Sequence, residues 1–200
     1  MIAGIILAAG ESRRMGQLKP ILKIGGKTFL QHIAGQLTAA GIDPIVVVLG
    51  YKADFIRKNC GIEAEFVINA GYQRGQFSSL QAGVKALPPS CRAAIVCLGD
   101  QPHVRAEWIT ALTAAYADTS KDIIIPRYKG RSGHPVLYSS KVMQKILQME
   151  PSQTARELRD SFADSTLWIN LASGGILYDA DTPRDLREIQ TRFMSPDNFS

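Results

Sequence analysis

Apolar, β-branched runs alternate with helix-period stretches along almost the whole chain, and no other feature narrows the fold so far. Strand-like runs fall at Ile2–Leu7, Ile45–Leu49, Glu65–Ile68, Ala93–Leu98, Ile123–Pro126, Pro135–Tyr138 and Leu167–Asn170. Between them, helical patterns cover Phe29–Ala40, Ala53–Lys58, Ser78–Leu87, Ala106–Tyr116, Ser140–Met149, Thr154–Ser161 and Pro183–Phe193. Apolar strands joined by helical crossovers predict an α/β sandwich with a largely parallel sheet. The run Pro135–Tyr138 is expected to enter the sheet from a new direction. Gly41 and Pro88-Pro89 stop helices, and Pro183 suits the first turn of one.

A chain of 200 residues can bury a sizeable core in one domain. No repeat, linker or low-complexity tract divides it, so residues 1–193 read as one unit. The polar tail, 194–200, is expected to fray. Hydrophobic residues make up 46% and charged residues 20%, as in an ordinary soluble protein. The net charge of +5 suits an acidic partner. Outside one loop the cations are scattered, which disfavours nucleic acid. The opening run, 2–10, is too short to span a membrane and lacks a basic leader. No membrane association is expected, and a reducing cytoplasm is the expected location. Cys60, Cys91 and Cys97 have neither disulfide-framework nor metal spacing, and His32, His103 and His134 are too dispersed for zinc.

The first strand runs into Leu7-Ala8-Ala9-Gly10-Glu11-Ser12-Arg13-Arg14-Met15-Gly16, closed by Lys19. Small residues and a glycine let backbone N–H groups approach an anion directly. Ser12 adds a hydroxyl, and Arg13, Arg14 and Lys19 add forked and point-charge donors suited to a triphosphate. Two familiar phosphate motifs are excluded. Gly26-Lys27-Thr28 lacks the upstream glycine of a Walker loop, because Ile21 stands there. The dinucleotide fingerprint needs three spaced glycines, and only Gly10 and Gly16 are present.

Four further segments carry candidate chemistry. Leu98-Gly99-Asp100-Gln101-Pro102 ends a core strand, where ligands of open α/β sheets gather. Asp100 is either a turn residue or a carboxylate offered to a metal. Asp179-Ala180-Asp181-Thr182-Pro183-Arg184-Asp185-Leu186 combines a helix start with two preceding carboxylates. The stretch from Asn69 to Gly83 holds Gly71, Gly75, Ser78 and Ser79 at the start of a helix, where amides and hydroxyls can read a base or ribose. In Arg131-Ser132-Gly133-His134-Pro135-Val136-Leu137, His134 is a lone histidine, either structural or part of a site.

The order Leu-Ala-Ala-Gly-x-Ser-x-Arg-Met-Gly with a downstream lysine resembles the signature loop of the MobA-like nucleotidyltransferases, and within them the molybdenum cofactor cytidylyltransferase branch. Gly-Asp-Gln-Pro, Asp-x-Asp-Thr-Pro-x-Asp-Leu, Gly-x-x-x-Ser-Leu-x-x-Gly and Gly-His-Pro-Val-Leu are similar to other elements of that family, in the same order from Leu7 to Leu186. The resemblance implies a Rossmann-like three-layer sandwich of the nucleotide-diphospho-sugar transferase type. It implies transfer of CMP from CTP to the phosphate of molybdopterin-bound molybdenum cofactor, with pyrophosphate leaving. Arg14 and Lys19 would be catalytic, and Asp100 and Asp181 would hold Mg2+. Leu7, Ala8, Ala9, Gly10, Ser12, Arg13, Gly75 and Ser79 would bind the nucleotide, with His134 and Asp179 on the acceptor side. A molybdoenzyme or its chaperone is the implied macromolecular partner. Guanylyl-transferring relatives tend to carry Leu-Ala-Gly-Gly, so the methyl of Ala9 favours a pyrimidine. One departure is Lys19-Pro20-Ile21-Leu22, because Lys-Pro also occurs in sugar-phosphate nucleotidyltransferases. The contrasting class is a nucleotide-binding regulator without turnover, against which the acidic pair argues.

Overall fold

A computed structural model describes residues 1–193. The expectation of a frayed tail over 194–200 lies outside the described residues. In chain order, β1 (Ile2–Ala8) leads through a loop to a hairpin of β2 (Lys23–Ile24) and β3 (Lys27–Thr28). There follow α1 (Phe29–Ala39), β4 (Ile45–Leu49), α2 (Ala53–Asn59), β5 (Glu65–Ile68) and α3 (Gln76–Ala86). The second half contains β6 (Ala93–Leu98), α4 (Ala106–Ala117), β7 (Ile123–Tyr128), β8 (Arg131–Ser132) and β9 (Val136–Ser139). It closes with α5 (Ser140–Gln148), α6 (Ala155–Ser161), β10 (Thr166–Asn170) and α7 (Pro183–Phe193).

The main sheet has the order β10-β7-β9-β6-β1-β4-β5, with β8 paired to β7. β1, β4, β5 and β6 run parallel, and β10 runs parallel to β7. β9 is antiparallel to both β6 and β7, the change of direction anticipated for Pro135–Tyr138. β7 continues beyond the expected Pro126. β9 pairs only with Ile123 and Ile124, and β8 takes over at Arg127, so Pro126 falls between two antiparallel partners. A proline is tolerated in a strand where the ladder requires no N–H from it.

Alternating side chains of the strands feed two cores. Ile6, Val47, Leu49 and Ile95 pack against Leu30, Ile33 and Leu37 of α1 and Trp108, Ile109 and Leu112 of α4. Ile5, Val46, Val48, Ala94 and Val96 pack on the opposite face against α3, α5 and Leu158 of α6. Each side is buried, as a parallel sheet requires. Met15, Ile24, Phe29, Ala180 and Ile189 form a third cluster, which joins the loop after β1 to the hairpin and to α7. No helix among the described residues is long and apolar enough to cross a membrane.

The chain moves from β1 outward to β4 and β5, then returns to place β6 on the other side of β1. Such a reversal opens a crevice at the carboxyl ends of the flanking strands, the usual ligand position in open α/β sheets.

Candidate functional site

The loop after β1 and the turn after β6 meet at this crevice. Ser12 occupies the left-handed region at φ 54°, and its carbonyl accepts from the N–H groups of Met15 and Gly16. Its hydroxyl accepts from the backbone N–H of Lys19 at 3.2 Å, so it ties the loop together as well as facing the cleft. Met15 is buried in the third cluster beside Ala180, which brings the loop up to the Asp179–Asp181 segment. A second tether is the Ala180 N–H, which donates to the Asp100 carbonyl at 2.9 Å. Two small anchors thus bring residues 14 and 181 together from opposite ends of the chain.

The result is one charged cluster. Lys19 Nζ donates to Asp100 Oδ2 at 3.1 Å and to Asp181 Oδ1 at 2.6 Å. Arg14 Nη2 donates to Asp181 Oδ2 at 2.8 Å. Burial opposes the charge on Lys19, but the two carboxylates outweigh it and hold its pKa above the ordinary lysine value. Burial likewise pushes Asp181 up, and Lys19 and Arg14 reverse that, leaving its carboxyl below the usual range. Asp100 Oδ1 is buried and has no hydrogen-bond partner among the described residues. Gly99 allows this turn to sit against β1, since a Cβ there would lie 2.9 Å from the Leu7 carbonyl oxygen.

Two adjoining hollows extend from the cluster. Leu7, Ala8, Gly10, Ser12, Lys19 and Asp100 line one of about 90 Å³ under the loop. A larger one, about 230 Å³, is bounded by Ala9, Gly10, Tyr72, Gly75, Gln76 and Ser79. α3 begins at Gln76, two residues earlier than expected. Gly75 turns the chain at φ 109°, a conformation that favours glycine. Ser78 and Ser79 are therefore buried within the first turn instead of standing free at the helix start. Asn69 Nδ2 donates to both serine hydroxyls, at 2.9 and 3.1 Å, and Ser78 Oγ donates to the Gly75 carbonyl at 2.7 Å.

The remaining expected site residues lie further out. Arg13 pairs with Glu11 rather than with the carboxylate cluster. Asp179 accepts from Gln101 Nε2 at 2.8 Å, and burial together with the neighbouring charges of Asp100 and Asp181 pushes its carboxyl above the usual range despite Gln101 and Lys19. His134 lines two outer hollows, where burial holds its pKa down to about 4 against the opposing charge of Asp100. Asp185, expected to be a plain helix residue, caps α7: its Oδ2 accepts from the Thr182 N–H at 2.8 Å. Met15, Asn69, Tyr72 and Gln76 were not singled out individually. Asn69 alone carried a signal, as a polar residue directly after a strand.

Asp100 and Asp181 fit a divalent cation. Both reach the same ammonium, so they converge on a single cation position, and Asp100 Oδ1 remains available. No group of three His, Cys, Asp or Glu side chains able to hold a metal ion occurs among the described residues. A cation there would depend on ligand oxygens as well, which is how magnesium is bound beside phosphates.

A cation-rich loop at the switch point of a mostly parallel sheet, facing two carboxylates, defines a nucleotidyltransferase class of protein. The chain belongs to the MobA-like NTP transferase domain family, which matches residues 4–166. Over 193 residues it is 30% identical to a Mycobacterium avium protein named probable molybdenum cofactor guanylyltransferase, covering 94% of each chain. An Rv0371c homologue from Mycobacterium sp. strain JC1 has TM-score 0.84 and 25% identity, covering 98% of both chains. Rv0371c of Mycobacterium tuberculosis, solved as a complex with manganese, has TM-score 0.75 and 21% identity, covering 95% of this chain and 98% of that one. The chain also matches the bifunctional protein GlmU of Exiguobacterium sibiricum, of which it spans only 27%.

Proposed function

We propose that this protein transfers CMP from CTP to the phosphate of molybdopterin-bound molybdenum cofactor and releases pyrophosphate. The observation that carries the transferase chemistry is the convergence of Asp100 and Asp181 on one cation, beside Arg14 and under an anion-binding loop. An oxygen of the acceptor phosphate attacks the α-phosphorus, the bond to the β-phosphate bridging oxygen breaks, and its electron pair leaves with pyrophosphate. The acceptor is already anionic and needs no general base. Catalysis then rests on positioning and charge neutralisation. Lys19 and Arg14 neutralise the triphosphate, and the amides from Ala9 to Ser12 hold its oxygens. Magnesium held by Asp100 and Asp181 would supply further charge stabilisation when bound.

The base is placed in the hollow of Ala9, Gly75 and Ser79. Ala9 is among the residues that line that hollow, and a methyl group at this position leaves less room than a glycine would. Cytosine fits beside it, whereas guanine meets the methyl and leaves donors unpaired, a costly mismatch in a buried site. The second reading is guanylyl transfer, favoured by the name of the Mycobacterium avium relative. Competitive binding of CTP, GTP, UTP and ATP to the magnesium-loaded protein distinguishes the two. CTP is expected to win, and Ala9→Gly to narrow the gap. GTP binding as well as CTP sinks the cytidylyl reading.

A further inference from the structure

The hollow beside Ala9 does not end at α3. Past Leu7, Gly75 and Gln76 it adjoins a second hollow of about 210 Å³. That one shares His134, Tyr138 and Ala155 with a third, of about 360 Å³. Together they make a trench that leads from the Lys19 cluster to α6.

The outer part of the trench differs chemically from the inner part. Its sheet side is apolar, built from Ile125, Val136 and Tyr138. The cations lining the two outer hollows are Arg74, Arg156 and Arg159, and no carboxylate lines either. Of the acids on α6, one is held at the helix start and the other takes Nε and Nη2 of Arg159, which leaves Nη1 of that guanidinium for a ligand. Glu157 accepts from Thr154 to cap α6, and Asp160 pairs with Arg159. Arg159 also rests over the Trp168 ring at 5.9 Å, which fixes its stem. Arg156 is exposed and makes no ion pair among the described residues. α6 has only seven residues, so the positive character comes from side chains and not from a helix end.

We propose that Arg156 and Arg159 form a second anion subsite that reads the acceptor. The acceptor then carries, besides the phosphate that attacks, another anionic group at the far end of an extended body. A simple sugar monophosphate does not match this lining. Its one anionic group would be held at the Lys19 cluster, and the guanidinium groups of the outer hollow would then face no anion. The inference rests on the nucleotidyl-transfer reading, in which the nucleotide fills the inner hollows and leaves the outer ones to the second substrate. Guanidinium groups bind anionic oxygen or sulfur by charge-assisted contacts, each worth about a tenfold change in affinity or more.

The test is titration calorimetry on the full chain with magnesium and a non-hydrolysable CTP analogue present. The parent is compared with Arg156→Gln, Arg159→Gln and the double variant. The two-anion probes are molybdopterin, whose dithiolene is its second anionic group, and glucose 1,6-bisphosphate; the one-anion control is glucose 1-phosphate. Each single variant is expected to lose about tenfold in affinity for whichever two-anion probe the parent binds, and the double variant more. Binding of the nucleotide analogue and of glucose 1-phosphate is expected to stay within about twofold. Equal binding of two-anion probes by parent and double variant overturns the subsite, as does a parent that binds neither. A parent that binds the bisphosphate but not molybdopterin, with the arginine dependence intact, supports the subsite and removes molybdopterin as the acceptor.

Discussion

Replacing Lys19 by methionine keeps the apolar stem and removes the ammonium that links Asp100 to Asp181. Two effects of opposite sign follow. Transfer loses a charge contact aimed at the triphosphate, and such losses cost about 10²–10³ in rate, or roughly 3–4 kcal/mol of barrier. Metal binding without nucleotide should instead improve, because the ammonium occupies the place a divalent cation would take. Its contacts are 3.1 Å to Asp100 and 2.6 Å to Asp181, and the lysine side chain is only 11% exposed. A hydrogen bond to a charged group contributes about 1.5–3 kcal/mol. Both carboxylates are more than a quarter exposed, so the lower figure for one bond is the better guide. That corresponds to about a tenfold gain in Mn2+ affinity. Free Mn2+ measured by electron paramagnetic resonance gives the affinity, and pyrophosphate release gives the rate. Slow turnover with unchanged or weaker Mn2+ binding would refute the idea that Lys19 and the metal share the carboxylate pair.

Asp100→Asn and Asp181→Asn should each raise the magnesium concentration needed for half-maximal turnover by about tenfold or more; a variant that titrates like the parent does not lose a metal ligand. Met15→Ala should cost about 2–5 kcal/mol in urea unfolding and weaken nucleotide binding, because Met15 joins the loop to Ala180 and Ile189; unchanged nucleotide affinity would show that the loop is positioned without it. His103 donates from Nε2 to the Gly175 carbonyl, and burial depresses its pKa from 6.5 to about 4. The unfolded chain therefore takes up the proton first as pH falls. Stability should be full above pH 6.5 and decline between 6.5 and 4, by up to about 3 kcal/mol from this group. His103→Gln should make that acid limb shallower in thermal melts across the same pH range, and a limb of unchanged slope counts against His103 as its source.

The parts of this fold that were legible in the sequence are those where local pattern and global demand agree. β1, β4 and β6 are central, buried on both faces, and therefore nearly continuous runs of apolar residues. The run Pro135–Tyr138 reads as entering the sheet from a new direction, and β9 is antiparallel to both of its neighbours. The hairpin of β2 and β3 went unseen, because two-residue strands leave no periodicity. The start of α3 was displaced because Ser78 suggests a cap by composition, while the turn is made by Gly75 through its backbone freedom.

At the candidate site, residue chemistry was readable and mutual placement was not. Loop, carboxylates and histidine each stand out as candidates, partly from neighbouring residues and partly from the resemblance to the family. That Lys19 would bridge Asp100 and Asp181, that Arg13 would turn to Glu11, and that Asp179 would face Gln101 depend on contacts between distant segments. Met15 shows the limit most clearly. In sequence it is one apolar residue in a polar loop, and only the packed cluster with Ala180 and Ile189 gives it a positioning role.

The most direct test is to incubate the purified protein with magnesium, molybdenum-loaded molybdopterin and CTP or GTP labelled at the α-phosphate, and to follow the label. Label from CTP should move into a molybdopterin dinucleotide with one pyrophosphate released per transfer, and label from GTP should move much more slowly. Label that passes to the cofactor from GTP at least as fast, or from neither nucleotide, would contradict the account.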